Sequence, residues 1–286
     1  MTALDRLIAL LDVEEIEVDL YRGRNTDPGW IRVYGGQVVA QSLAAAQRTI
    51  PEDRPVHSLH SYFLRPGEPL VPILYKVERE RDGTSFSTRR VLAIQHGRPI
   101  FSMTASFQVR EEGFSHGDPM PDAPAPETLM TEAQWQAENA HRVPEAVREH
   151  WAKRDRPFDF RAVDPQDYFA PTPRPARAQN WFRTDGTPPD CPRLAACLLA
   201  YASDMTLLDT CLLPHAVSWT DRKLQAASLD HAIWFYGTYR PQVFHLIDQQ
   251  SRVAGGARGL NEGRIFSPEG QLVACVVQEG LIRYRS

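Results

Sequence analysis

Residues 35–47 read GGQVVAQSLAAAQ, and four strand-like segments follow them. The run from Val38 to Gln47 is rich in alanine and glutamine and contains neither glycine nor proline, so it predicts a helix. Within the region that follows, Ile73, Tyr75 and Val77 occupy alternating positions, as in a half-buried strand. The strand-like segments span 56–64, 71–79, 86–95 and 100–109. One helix followed by several strands predicts an α+β unit with an antiparallel sheet.

The second half of the chain repeats this order of elements. Residues 194–212 read LAACLLAYASDMTLLDTCL, in which apolar side chains recur at three- and four-residue steps and predict a core-facing helix. Strand-like segments follow at 230–238, 243–249, 257–266 and 271–283. The last strands of the two halves end alike, on Ser106-Phe107-Gln108 and on Val276-Val277-Gln278. We therefore predict an α+β fold with two repeats, each a long helix wrapped by an antiparallel β-sheet.

Proline-rich sequence separates the two repeats. Residues 116–126 read HGDPMPDAPAP and residues 171–176 read PTPRPA. Proline fixes φ and lacks a backbone donor, so these stretches favour extended linkers. Between them, Glu127 to Arg154 is polar and helix-prone, with an interruption at Pro144. The predicted organisation is an N-terminal domain at 1–115, a proline-rich linker with a helical segment at 116–176, and a C-terminal domain at 177–286.

Composition limits the classes of partner. The 286 residues are 42% hydrophobic and 24% charged, with a net charge of −4 that gives no global basic field for nucleic acid. Thr2 predicts a helix cap where a signal peptide would begin, and no uninterrupted apolar run is long enough to span a bilayer. We expect a cytoplasmic protein that binds neither nucleic acid nor membrane.

Motifs for metal, cofactor and nucleophilic chemistry are missing from the sequence. The four cysteines form no CxxC pair and no zinc-finger spacing, which is typical of idle thiols in a reducing compartment; they are Cys191, Cys197, Cys211 and Cys275. There is no G-x-S-x-G, H-E-x-x-H, P-loop or G-x-G-x-x-G motif. We therefore expect no metal and no cofactor. If the protein is a hydrolase, a carboxylate that activates water is the favoured device.

Candidate carboxylates lie on the second predicted helix. Asp204 and Asp209 fall at opposite edges of its apolar stripe, where an ionised carboxylate is costly unless it has partners or meets solvent. Helix geometry does not choose between them. Ser228 precedes an aromatic strand and could cap a turn, while Gln278 continues the face of its apolar neighbours and could bond to backbone. Taken singly, each of these residues fits a structural role.

Together, short motifs along the whole chain resemble those of one family. In the first half they are Arg22-Gly23, Gly35-Gly36-Gln37-Val38-Val39-Ala40-Gln41, His57-Ser-Leu-His60-Ser-Tyr-Phe-Leu-Arg-Pro-Gly67, Asp82-Gly83-x-Ser85-Phe86 and Ile100-Phe-x-Met-Thr-Ala-Ser-Phe107-Gln108. In the second half they are Tyr201-Ala-Ser-Asp204, Ser228-Leu-Asp-His231-Ala-Ile-Trp-Phe235 and Val277-Gln278-Glu-Gly280. In this order they resemble bacterial acyl-CoA thioesterase II, and the proline-rich middle matches least.

The resemblance implies a double hot-dog fold in which the two sheets join. It implies hydrolysis of medium- to long-chain fatty acyl-CoA to free fatty acid and CoA, without covalent intermediate or metal, in a homodimer or homotetramer. Carried over by motif, the catalytic residues are Asp204, Ser228 and Gln278. Serine stands where the family has threonine, which keeps the hydroxyl but loosens χ1. A backbone N–H of the Gly35-Gly36 turn is a candidate oxyanion donor.

Other interpretations stay open at this point. His57, His60 and His231 could act as bases, although a strand histidine is more often structural. The resemblance to hydratases and dehydratases of the same fold would require an Asp followed five residues later by His. Five residues after Asp204, this sequence has Asp209. A non-catalytic acyl-CoA-binding regulator is the rival from another class, and retention of all three polar site groups argues against it.

Overall fold

A continuous antiparallel sheet forms the frame of the protein. The computed structural model describes residues 1–25, 32–143, 145, 148–149 and 155–285. The strands are β1 Glu14–Glu17, β2 Leu20–Gly23, β3 Val56–Phe63, β4 Ile73–Asp82, β5 Phe86–Gln95, β6 Arg98–Gln108, β7 Phe158–Ala162, β8 Arg177–Thr184, β9 Leu224–Ser228, β10 Asp230–Phe235, β11 His245–Gly255, β12 Arg258–Phe266 and β13 Leu272–Tyr284. Their order is β1-β2-β4-β5-β6-β3-β10-β13-β12-β11-β8-β7, and β9 also pairs with β13.

The sheet consists of two similar halves that join between β3 and β10. These strands pair antiparallel, with Leu59 opposite Ile233 and Ser61 opposite His231, and all four residues are buried. Each half has its own helix, α2 at Gly35–Gln47 in the first and the later helix α4 at Pro192–Ser203 in the second. Shorter helices lie at Ala3–Leu11 (α1) and Glu132–Asn139 (α3). The predicted combination of helices with antiparallel sheet is confirmed.

Helices α2 and α4 pack against each other in the centre of the core. Leu43 of α2 and Leu198 of α4 are both fully buried. The start of α2 meets the end of α4, where the Tyr34 hydroxyl donates to the Tyr201 carbonyl at 2.9 Å. At the other end, Gln47 Nε2 donates to the Arg193 carbonyl at 3.2 Å, so the helices run antiparallel. The beginning of one helix is thereby placed at the end of the other.

The second helix is shorter than the sequence predicts. Its apolar periodicity runs to residue 212, but α4 ends at Ser203 and the chain continues in 3₁₀ turns at Leu208–Cys211 and Leu213–His215. Short polar side chains at this point bond away from the helix: Thr206 Oγ1 donates to Gln249 Oε1 at 3.0 Å. Such bonds compete with helical ones. The prediction of a continuous helix over 194–212 is therefore wrong after Ser203.

Gly259 and Gly280 allow the turn after α4 to lie directly on the sheet. A Cβ at Gly259 would lie 2.5 Å from Cys211 Sγ, and one at Gly280 would lie 2.1 Å from Leu208 Cδ1. The segment Pro192–His215 is long and apolar enough to cross a membrane by length and composition, but most of its apolar part is buried here. A core helix passes the same test, so this feature indicates packing.

The N-terminal helix begins as predicted. Thr2 Oγ1 accepts a hydrogen bond from the Asp5 amide at 3.1 Å, and Asp5 Oδ2 accepts one from the Thr2 amide at 2.7 Å. This reciprocal pair is a capping box. The predicted linker at 116–176 contains helix α3, as expected of its helix-prone part. It also contains strand β7, which the sequence did not predict. The predicted interruption at Pro144 lies outside the described residues.

We expect Gly36→Ala to destabilise the protein because a Cβ at Gly36 would lie 2.5 Å from the Tyr201 carbonyl oxygen, a backbone atom that cannot rotate away. Overpacking of this kind costs about 1–3 kcal/mol, more than the helix propensity gained with alanine. Urea denaturation measures the change in the free energy of unfolding. Gly113→Ala is the matched control, since among the described residues, its two chain neighbours aside, no atom lies within 4 Å of its Cβ position. Equal stability of the two variants would contradict the close helix contact.

Candidate active site

Asp204 lies where the two halves of the protein meet. It is the C-cap residue of α4, in an αR conformation, and its side chain is half-buried. Its Oδ2 accepts a hydrogen bond from the Gly36 amide at 2.8 Å, at the N-terminus of α2. Its Oδ1 accepts one from Gln278 Nε2 at 2.5 Å. A carboxylate at a helix N-terminus is stabilised by the free N–H groups and by the helix dipole.

The glycine pair at the start of α2 makes this approach possible. A Cβ at Gly35 would lie 2.8 Å from Asp204 Oδ2, and one at Gly36 would overlap the end of α4. The sequence suggested a backbone donor from this turn for an oxyanion. In the structure the Gly36 N–H already donates to Asp204, so that group serves the carboxylate. The glycine pair was the available signal, but the sequence did not identify its acceptor.

Ser228 and Gln278 complete the group around Asp204. Gln278 is fully buried on β13, and its Nε2 donates both to Asp204 and to Ser228 Oγ, the latter at 3.1 Å. Ser228 is the last residue of β9 and pairs with Gly280 of β13, two residues beyond Gln278. Residues two apart on a strand share a face, so the register places both side chains on the side of Asp204. The three predicted residues are adjacent in space, and their catalytic roles remain a prediction.

The surroundings of Asp204 change its protonation. Burial raises the pKa of the Asp204 carboxyl from 3.8 to about 6, because the ionised form loses hydration. Hydrogen bonds from Gln278, Gly36 and Ser228 lower the pKa, and so does the positive charge of Arg32, but burial is the larger effect. A carboxylate that titrates near neutrality can accept a proton from a bound water more readily than an ordinary aspartate can.

Asp209 is not part of this group. It lies in the 3₁₀ turn after α4 and accepts a hydrogen bond from the Trp219 indole. The sequence pattern left Asp204 and Asp209 equivalent. The end of the helix at Ser203 separates them, because it places Asp204 at a cap position and sends Asp209 into a different turn.

The three histidines have separate environments. His231 is fully buried, and its Nε2 lies 2.8 Å from the Oγ of Ser203, the residue that precedes Asp204. Burial lowers the pKa of His231 to about 4, so the ring is neutral. His57 Nε2 lies 2.8 Å from Ser106 Oγ, and His60 is exposed with its ring against Trp234. None of the three bonds directly to Asp204, which favours structural roles for them.

The buried cysteines are poor nucleophiles. Burial raises the pKa of the Cys197 thiol to about 12 and that of Cys211 to about 11. Cys197 Sγ accepts a hydrogen bond from Gln47 at the opposite end of α4 from Asp204. A reactive thiol needs a lowered pKa. In the part of the chain that the structure describes, no three His, Cys, Asp or Glu side chains are close enough to hold a metal ion.

Solved structures of other proteins superpose on this fold of two joined half-sheets and paired helices. A hot-dog protein of unknown function from Alicyclobacillus acidocaldarius superposes with a TM-score of 0.78 at 18% identity, covering 98% of this chain and 99% of that one. This likeness shows a hot-dog fold. The acyl-CoA thioesterase II TesB2 from Mycobacterium marinum superposes with a TM-score of 0.79 at 45% identity, covering 98% of this chain and 99% of that one.

Sequence comparison gives the family. Residues 24–108 match the acyl-CoA thioesterase N-terminal domain, and residues 149–281 match the family described as acyl-CoA thioesterase. The acyl-CoA thioesterase 2 of Haemophilus influenzae is 43% identical over 281 residues, 98% of each chain. The chain belongs to the acyl-CoA thioesterase family. The family resemblance read from the sequence motifs is thereby confirmed.

We expect the Asp204 carboxyl to take up its proton near pH 6 rather than near 3.8, because burial outweighs the hydrogen bonds to the ionised form. Infrared difference spectra recorded across this pH range measure the carboxyl C=O band directly. The Asp204→Asn variant is the control and should lack the band that titrates near pH 6. A wild-type spectrum identical to that of the variant in this range would show an ordinary aspartate.

Proposed function

We propose that the protein hydrolyses acyl-CoA thioesters with a water molecule that Asp204 activates as general base. The observation that carries this proposal is the Asp204 carboxylate held by Gly36, Gln278 and Ser228 at the junction of the two helices. Membership of the thioesterase family supports the thioester as the bond that is cleaved. The acyl chains expected from the family resemblance are those of medium- to long-chain fatty acids.

The reaction follows from the positions of the polar groups. A water bound beside Asp204 gives a proton to the carboxylate while its oxygen attacks the thioester carbonyl carbon. The C–S bond then breaks, and the proton passes to the CoA sulfur, so that fatty acid and free thiol leave. A thioester carbonyl is more electrophilic than that of an ester or amide, so a base of moderate strength is sufficient. Ser228 and Gln278 orient the water, and positioning of this kind contributes strongly to rate.

Direct attack by water is favoured over a covalent route. The Ser228 hydroxyl accepts a hydrogen bond from the Gln278 amide, and Asp204 is the nearby base. The thiols of Cys197 and Cys211 are buried and have raised pKa values, which disfavour thiolate formation. The proposal therefore includes no acyl-enzyme, no metal and no cofactor.

The finer architecture is also part of the proposal. The protein is a double hot-dog, with an N-terminal hot-dog domain at 1–115, a linker at 116–176 that adds β7 to the sheet edge, and a C-terminal hot-dog domain at 177–286. Free cysteines, two of them buried, suit a reducing cytoplasm. Tyr62 on β3 and Tyr236 just after β10 are exposed at the centre of the sheet. Exposed aromatic side chains are typical of contact surfaces, which supports assembly into a homodimer or homotetramer.

The rival functions make different predictions about turnover. A hydratase or dehydratase of this fold would add water to a double bond and leave the thioester intact. A regulator would bind acyl-CoA without releasing CoA thiol. The raised pKa of Asp204 favours an enzyme, since such values cluster at catalytic sites.

We expect Asp204→Asn to lower CoA release by at least about a hundredfold, because the amide cannot accept the proton of water. Thiol release from a saturated acyl-CoA, followed with a chromogenic disulfide reagent, measures this loss. Asp209→Asn is the matched control and should keep most activity, because Asp209 bonds to Trp219 away from the site. Equal losses in the two variants would remove Asp204 from the mechanism.

Ser228→Ala should lower kcat about 10- to 100-fold, as expected when one positioning hydrogen bond of about 1.5–3 kcal/mol is lost. Ser228→Thr should keep or raise activity, because it retains the hydroxyl and restricts χ1. Steady-state kinetics of both variants beside the wild type test the two expectations. Full activity of the alanine variant would exclude Ser228 from the reaction.

A further inference from the structure

Behind Gln278, a row of four amide side chains, three of them fully buried, crosses the inner face of the second half of the sheet. Asn180, Gln249, Asn261 and Gln278 lie on β8, β11, β12 and β13, which are neighbours in the sheet. Asn261 is directly opposite Gln278 in the β12–β13 register. Gln249, Asn261 and Gln278 are each at most 1% exposed. Buried amides at this density need hydrogen-bond partners.

The known bonds fix the orientation of two of these amides. Gln278 Nε2 donates to Asp204 and Ser228, so Gln278 Oε1 points away from the site. Gln249 Oε1 accepts from Asn180 Nδ2 at 2.8 Å and from Thr206 Oγ1 at 3.0 Å, which directs Gln249 Nε2 the other way. Since carbonyl oxygens accept and amide nitrogens donate, neither side chain can be rotated by half a turn without losing these bonds.

Three polar atoms of this row have no hydrogen-bond partner among the residues that the structure describes. They are Gln249 Nε2, Asn261 Oδ1 and Gln278 Oε1, one donor group and two acceptors. The remaining Asn261 amide nitrogen lies 3.3 Å from the Gly259 carbonyl and 3.5 Å from that of Gln278. A water has two protons to donate and can accept at least one, so its hydrogen-bonding capacity matches one donor and two acceptors.

Hydrogen bonds connect this row of amides to Asp204 and to the segment that follows it. Thr206, which Gln249 holds, is two residues beyond Asp204 on the turn that follows α4. Gln278, at the other end, bonds to Asp204 itself. Gln249 of β11 therefore bonds to the segment that follows Asp204, Gln278 of β13 bonds to Asp204 itself, and Asn261 lies on β12 between these two strands.

We propose that Gln249 and Asn261 are positioning residues that, through an internal water shared with Gln278 Oε1, hold the Gln278 amide in the orientation that presents its Nε2 to Asp204. The inference rests on the proposed function, because it assigns these residues an effect on the water-activating carboxylate. Both residues are fully buried, and their printed hydrogen bonds go to groups other than Asp204, so we assign them an indirect role through Gln278. They act on turnover and leave substrate binding unchanged.

Loss of either residue should also move the pH profile. The Gln278 hydrogen bond favours the ionised form of Asp204, so a less well-held amide raises the Asp204 pKa further. Activity needs the ionised carboxylate, so the acidic limb of kcat shifts to higher pH. Around Asp204, Arg32 supplies positive charge, and His231, on β10 behind Ser203, is neutral above about pH 4. Glu279 and Asp230 occupy the alternate strand positions, on the other face of the sheet.

The test uses Asn261→Leu and Gln249→Met, which keep approximate side-chain volume and remove the amide. We expect kcat to fall about 5- to 30-fold, as for one lost positioning hydrogen bond, with KM within about twofold. The acidic limb of kcat should move up by about half a pH unit. Gln95→Met is the matched control: Gln95 is a buried amide of the first half that bonds to the Glu68 and Val71 carbonyls. It should lose thermal stability while kcat, KM and the acidic limb stay unchanged.

A double variant separates positioning from general structural damage. If Asn261 acts through Gln278, adding Asn261→Leu to Gln278→Ala should lower kcat by less than about twofold. The inference is overturned if the single variants fold and keep the wild-type kcat and pH profile. It is also overturned if the losses in kcat are fully additive in the double variant. If Asn261→Leu does not fold, Gln249→Met and the milder Asn261→Ser give the same readouts. Asp204→Asn is measured in parallel. If Asp204→Asn is inactive and the amide variants are unaffected, only the inference is refuted. If Asp204→Asn is active, the proposed function is refuted.

Discussion

The hydrogen bond from the Gly36 amide to Asp204, 2.8 Å long, is the contact on which the rest of the site depends. It joins the N-terminus of one central helix to the C-terminus of the other, across 168 residues of sequence. The bond requires two glycines in succession, because side chains at either position would collide with Asp204 or with the end of α4. It also requires the antiparallel helix pair, which the joined sheet holds from outside. The site therefore belongs to neither half alone.

A half-buried carboxylate at this point is costly, and the surrounding bonds offset only part of the cost. Its pKa stays above that of an ordinary aspartate despite donors from the backbone and from Gln278. Stronger compensation, such as a direct arginine partner, would hold the pKa low and remove its capacity as a base near neutrality. The neutral donors around Asp204 provide enough stabilisation for folding and leave the carboxylate basic. This balance explains why amides and a hydroxyl surround it.

Periodicity in the sequence was sufficient for α2, for the first part of α4 and for most of the long strands, although the eight-residue β8 was not predicted. The alternation through Tyr75 and Val77 predicted β4, and the alanine-rich run predicted α2 within a few residues. Short strands such as β7 and β9 were missed because five residues carry little periodic signal. The end of α4 was missed because it is set by tertiary bonds, such as that between Thr206 and Gln249. For the same reason the choice of Asp204 over Asp209 came from the family resemblance rather than from helix geometry.

The opposite end of the helix pair explains why only one junction has the candidate active site. There the N-terminus of α4 meets the C-terminus of α2, by the same antiparallel packing. Arg193 is the second residue of α4, as Gly36 is of α2, so a large side chain stands there in place of the glycine that lets Asp204 approach. Gln47 near the end of α2 donates to the Arg193 carbonyl and to Cys197, and Arg193 donates to the Ile50 carbonyl at 2.6 Å. These bonds join the helices without a carboxylate. The repeat thus supplies two equivalent junctions, and local sequence makes one of them basic and the other purely structural.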